Sequence, residues 1–278
     1  MEWWVWPIAL FAATFAMGIV AVLAGVGGGV LFVPIVSAVF PFHLDFVRAA
    51  GLLLALSGAL SAAPALLRSG LASLRLAMPL ALVGSITSIV GALVGLALPT
   101  DAVQIALGAT ILAIALLMWG TRASEQPSGR EDSLVTLLRM HGVYHDAALG
   151  RDVEWRVHRT PAAFVVFAGI GMLAGMFGLG AGWANVPAFN LLMGAPLKLA
   201  VGSSGLLLSV VDTSAAWIYL NRGAVLPIVV APSIIGVMLG AKVGARLLRI
   251  APARIVRRTV IALLVIAGAR ALLKGFGI

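Results

Sequence analysis

The 278-residue chain is 62% hydrophobic and 10% charged, with a mean hydropathy of +1.10; this excludes a soluble domain, which needs far more polar surface to cover itself. The net charge of +9 is not a nucleic-acid footprint, because six Arg balance six acids in the one polar stretch, 121–160, and the excess lies in the apolar remainder, where thirteen Lys and Arg face only Glu2, Asp45, Asp101 and Asp212. Loop arginines orient membrane spans and a basic balance suits an anionic substrate, while the absence of cysteine excludes a disulfide framework, thiol chemistry and any Cys-based metal site.

Trp3, Trp4 and Trp6 open the chain where a cleavable signal would place basic residues, so they read as an interfacial aromatic belt. Five apolar segments follow, at about 5–26, 30–41, 44–67, 71–98 and 102–120. After the polar insert come five more, at about 161–179, 183–193, 197–220, 224–248 and 253–273. Their lengths approach the roughly 20 residues that cross a bilayer. The expected organisation is an all-α integral membrane protein: a first transmembrane repeat over 1–120, a cytoplasmic insert over 121–160 and a second transmembrane repeat over 161–278.

A glycine-proline phrase marks the start of each repeat. GIVAVLAGVGGGVLFVP at 18–34 returns as GMLAGMFGLGAGWANVP at 171–187, with seven of seventeen positions identical. The offset of 153 persists without a gap, pairing Gly70 with Gly223, Pro79 with Pro232 and Gly91 with Gly244. Glycine clusters and prolines interrupt helices. Paired interruptions in a duplicated membrane protein point to a transport site.

Loop charge sets the orientation. The stretch Leu98-Pro99-Thr100-Asp101 lacks basic residues, whereas its equivalent in the second repeat holds Arg246, Arg249, Arg254, Arg257 and Arg258. Conversely, Arg68 and Arg75 flank the loop after the third segment, against Arg222 alone in the second repeat. Equivalent loops therefore lie on opposite faces, and the repeats are expected to be inverted. Inversion needs an odd number of crossings per repeat, so each glycine phrase becomes a membrane hairpin whose second arm, about 12 residues or roughly 18 Å, is too short to cross. Both termini are then external, although Arg270 and Lys274 sit poorly there. Four full spans per repeat in parallel orientation leave the charge inversion unexplained.

The insert contains a polar linker at 125–132, an expected interfacial helix at 133–140 and an expected hairpin at 143–157 around Gly150. His141 and His145 have i,i+4 spacing, with Asp146 and His158 nearby, but no second ligand pair completes a metal site; His43 reads as a loop residue.

The doubled G-x-G-x-G phrase with its Val-Pro ending is followed by a helix opening on Gly202-Ser203-Ser204 and closing on Leu220-Asn221-Arg222-Gly223, matched by Leu67-Arg68-Ser69-Gly70. A Pro- and Gly-rich helix comes next. Over 17–95 and 169–248 this resembles the sulfite exporter TauE/SafE family. The resemblance implies secondary export of sulfite, an organosulfonate or a related small anion across the cytoplasmic membrane, without a cofactor. The free amides of a broken helix bind anions, so Gly27, Gly28 and Gly29 with Gly180, Ala181 and Gly182 are the expected substrate site, the alternative being close helix packing through small residues. Ser203 and Ser204 join it where the family carries Thr-Ser in each repeat; here the first repeat has Ala50 and Gly51. Intramembrane serines also bond their own preceding helical turn.

Asn185 and Asn190 flank Pro187, and an amide in a membrane hairpin needs a partner, which makes Asn185 a candidate substrate ligand. Asp212, the acid deepest in a span, is the candidate for a coupling proton, or else a charge partner or water-facing group. Lys242, the deepest cation, reads as snorkelling to the cytoplasmic face with Arg246, or else as a charge that attracts the anion. The implied partners are the lipid bilayer and a small anion; a homo-oligomer is compatible with the sequence and nucleic acid is not. No nucleophile–base or paired-carboxylate arrangement suggests an enzyme, and neither glycine phrase follows a strand or carries the P-loop lysine. The rivals are an importer of another small anion and a membrane sensor or scaffold that signals through the insert.

Overall fold

The computed structural model describes residues 5–24, 27–39, 43–120, 133–146, 151–180, 182–248 and 253–277. The first half contains α1 (Val5–Ala24), α2 (Gly28–Val39), α3 (Leu44–Arg68), α4 (Leu74–Ala97) and α5 (Thr100–Gly120). The insert follows as α6 (Ser133–Leu138) and the antiparallel hairpin β1 (His141–Asp146) and β2 (Arg151–Arg156). The second half contains α7 (Thr160–Phe177), α8 (Gly182–Pro187), α9 (Leu197–Asn221), α10 (Pro227–Leu247) and α11 (Ala253–Gly275). All ten apolar segments are therefore helices, with bounds within a few residues of those expected. Among the described residues six helices, α1, α3, α4, α7, α9 and α10, are long and apolar enough to cross a membrane.

The helices close against one another through small residues. The principal neighbours are α1 with α10, α4 with α7, α5 with α11, α3 with α9, and α3 and α9 with α10 and α4 respectively. Shifting residue numbers by 153 turns α1 with α10 into α7 with α4, and returns α3 with α9 and α5 with α11 to themselves. Glycine makes the seams possible: a Cβ on Gly91 would sit 1.9 Å from the Met172 carbonyl oxygen, and one on Gly240 would sit 2.0 Å from that of Phe15. Without a hydrophobic force between lipid-bathed helices, such close backbone approach supplies much of the association.

The seams also fix directions. Gly236, Gly240 and Gly244 meet α1 near Phe11, Phe15 and Ile19 in turn, so α1 and α10 run parallel. Equivalent helices run antiparallel: Gly275 meets Ile105 while Gly108 meets Gly268 and Leu272, and α3 meets α9 with Arg48 beside Tyr219 at one end and Leu71 beside Gly202 at the other.

The insert is seated on the bundle. Val135, Met140, Tyr144, Trp155 and Val157 are buried in one apolar cluster with Leu66, Leu71 and Ala72 at the α3–α4 turn. His141 and His145 lie on a strand, so their spacing is not that of a helical metal pair; Gly150 lies outside the described residues. His43 is the residue preceding α3 and is exposed. Lys274 donates to the Ser37 carbonyl in the last turn of α2. The awkward cation near the C-terminus thus caps a helix end, a favourable place for positive charge.

Candidate functional site

Both glycine phrases break the helix at equivalent places, and the two breaks come together. In the second repeat α7 stops at Gly178, whose left-handed backbone (φ 68°) lets its N–H cap the Ala174 carbonyl at 3.0 Å. Gly180 follows at φ 74°, and its counterpart Gly27 has φ 80°. These conformations penalise any residue bearing a Cβ. A Cβ on Gly27 would meet Leu208 at 3.2 Å and Ala55 at 3.7 Å; one on Gly180 would meet Ala55 at 2.9 Å and Leu208 at 3.1 Å. Ala55 and Leu208 are themselves 153 positions apart, so both breaks converge on the point where equivalent helices α3 and α9 cross. The breaks also touch: a Cβ on Gly29 would lie 2.6 Å from both the Gly51 and Leu179 carbonyl oxygens.

The packing also accounts for the glycine at position 51. A Cβ on Gly51 would sit 2.5 Å from the Gly178 carbonyl oxygen and 2.4 Å from Val33. The repeat-two break occupies the space a hydroxyl would need.

The structure gathers only some of the expected site residues. Gly27, Gly28, Gly29, Gly180 and Gly182 lie at the two breaks, with Gly28, Gly29, Gly180 and Gly182 buried; Ala181 lies outside the described residues. Asn185 is fully buried one turn into α8, and neither its Nδ2 nor its Oδ1 has a hydrogen-bond partner among the described residues. Asn190 has a structural task instead: it lies in the wide π-helical turn that continues α8 after Pro187, and its Nδ2 donates to the Ala195 carbonyl at 2.8 Å. Asp212 is also buried, and its Oδ2 lies 2.7 Å from the position of a Cβ on Gly180, so it stands at the break and not at the water-facing end of α9.

Ser203 and Ser204 stand apart, about 6–7.5 Å along the α9 axis from Leu208 at 1.5 Å per residue. The Ser203 hydroxyl accepts the Ser73 N–H at 3.0 Å and so holds the α3–α4 turn; Ser204 is buried beside it. Lys242 is exposed on α10.

A cleft leads from the first break. Gly18, Gly27, Gly28, Ala55, Gly58, Ala62, Leu66, Val201, Gly205 and Leu208 line it, with no charged side chain.

Two residues missed by sequence reasoning pack together at the other end of the α3–α9 contact. Arg48 is 2% exposed, and its guanidinium donates to the Gly95 carbonyl at 3.0 Å, to that of Met176 at 3.3 Å and to Asp45. Tyr219 is fully buried, lies 5.7 Å beneath that guanidinium, and donates its hydroxyl to the Gly175 carbonyl at 3.0 Å. Both serve carbonyls the helices cannot satisfy: Gly175 and Met176 end α7 at its break, and the residue four after Gly95 is Pro99, which has no N–H.

A family model described as Sulfite exporter TauE/SafE matches residues 10–271. No curated protein and no solved structure matches the chain.

Proposed function

The chain belongs to the sulfite exporter TauE/SafE family, and from that premise we propose that it carries a small sulfur-containing anion, sulfite or an organosulfonate, outward across the cytoplasmic membrane by alternating access. The observation that carries the reading is the convergence of two helix breaks from separate repeats on Ala55 and Leu208. Broken helices offer unpaired amides to an anion at depths where charged side chains are expensive. Gly27, Gly28, Gly29, Gly180, Ala181 and Gly182 supply this backbone, and Asn185 supplies a side-chain amide whose groups have no partner among the described residues. Ser203 and Ser204 act at the edge of the pathway, where Ser203 fixes a turn.

The antiparallel packing of α3 on α9 and of α5 on α11 supports inverted repeats, because a two-fold axis in the membrane plane reverses equivalent helices. The cleft runs toward Leu66 and Val201, the end bearing Arg68, Arg75 and the insert. Loop charge makes that face cytoplasmic, so the cleft is the entry for export. The sequence has no ATPase motif, and a negative-inside potential drives anion exit by about 2.3 kcal/mol per charge per 100 mV. In this reading Asp212, buried beside Gly180, carries the coupling proton.

A thermal-shift screen of purified protein against sulfite, sulfate, thiosulfate, taurine and sulfoacetate tests this. At least one anion should raise Tm in a concentration-dependent way; silence toward all five overturns the reading.

A further inference from the structure

The 153-residue offset relates the open cleft to a matching space on the other side of the breaks, and the two are built differently. Val201, Gly205 and Leu66 line the cleft; their counterparts are Arg48, Leu52 and Tyr219. Leu52 and Tyr219 are fully buried and Arg48 almost so, and together they fill the matching space. One end of the pathway is thus open and lined by small or aliphatic groups, while the other is shut by a cation stacked on a phenol. The guanidinium and the hydroxyl grip the free carbonyls of the broken α7. The Arg48 Nε points into the protein with no acceptor among the described residues.

We propose that Arg48 and Tyr219 form the gate of the pathway, and that Arg48 is the group a departing anion engages as the gate opens. The inference rests on the anion-transport reading above. An oxyanion can take the place of the Gly95 and Met176 carbonyls on the guanidinium fork, exchanging neutral acceptors for a charged one, while Asp45 keeps its ion pair with the other guanidinium nitrogen. With Met176 released, the Tyr219 hydroxyl on Gly175 and the Gly178 N–H on Ala174 still hold the end of α7. The fork then binds the anion on the far side of the breaks from the cleft, so entry and exit use different chemistry: backbone amides first, guanidinium last.

Two measurements test the two halves of the claim. The chain has no cysteine, so Ala216→Cys, behind Tyr219 in the same buried cluster, gives a single reactive site. A membrane-impermeant maleimide should label it at least tenfold faster in Tyr219→Phe than with Tyr219 intact; equal rates overturn the gate. This readout needs no substrate, so it stands even if sulfite is not carried. For the anion step, Arg48→Lys keeps the charge, while Arg48→Gln keeps a carbonyl-capping donor without it. Radiolabelled sulfite efflux from proteoliposomes should keep more than half its rate in Arg48→Lys. In Arg48→Gln it should fall at least tenfold, with KM within threefold. Equal losses in both variants, with monodisperse gel filtration showing both folded, reduce Arg48 to a helix cap and overturn the anion role.

Discussion

Asn185 is a side chain at which stability and function should separate, since both its polar atoms are buried. A buried donor or acceptor without a partner costs about 1–3 kcal/mol, and both ends of this amide are in that state among the described residues. Asn185→Leu, of similar volume, should therefore raise the melting temperature while lowering anion flux per folded molecule. A drop in both would mark the amide as structural, held by contacts of its own. Asp212 makes a different prediction: in reconstituted vesicles Asp212→Asn should flatten the pH dependence of transport, and an unchanged profile removes the proton role. Asp212 was legible from the sequence as the deepest acid; its place against Gly180 was not, because that depends on where another helix breaks. Arg48 was illegible for a related reason. It lies four residues into α3 and reads as one more orienting arginine, yet its partners Gly95, Met176 and Tyr219 are distant in sequence. Comparison across the offset, Arg48 against Val201 and Tyr219 against Leu66, was the available signal.

At the level of elements, the helices and their breaks were readable because hydropathy, glycine and proline act locally. All ten segments and the insert hairpin follow from composition and spacing alone. The helix seams were less readable, since a glycine in an apolar run serves a break, a seam or a turn equally well. Gly29 joins two breaks, Gly178 caps a helix and Gly91 lies in a seam, and only packing distinguishes them. Gly91→Ala would push a methyl group to 1.9 Å from the Met172 carbonyl oxygen, and helix backbones have no rotamer with which to yield. Overpacking of this kind costs about 1–3 kcal/mol, so the variant should melt lower, with α4 and α7 forced apart. An unchanged melting temperature would show that the seam has slack. Gly205, where a Cβ would meet nothing within 4 Å, is the matched control: alanine there should leave stability within about 0.5 kcal/mol.

For the whole molecule, the reading turns on which face each loop occupies. Because the chain is free of cysteine, Asp101→Cys and Arg254→Cys report topology without background. An impermeant reagent should reach them from opposite sides of the membrane; labelling from one side would dismiss the inverted arrangement. The pairing of α1 with α10 carries a consequence for biogenesis. Gly18 packs on Val237, 219 positions later in the chain (237 − 18 = 219). A ribosome therefore releases the first repeat with this seam exposed, long before the helix that fills it has been made. Contacts so distant in sequence form slowly, and until then lipid or an insertion chaperone must shield that glycine-bearing face. Synthesis is a period in which half of the protein waits in the membrane for the other half.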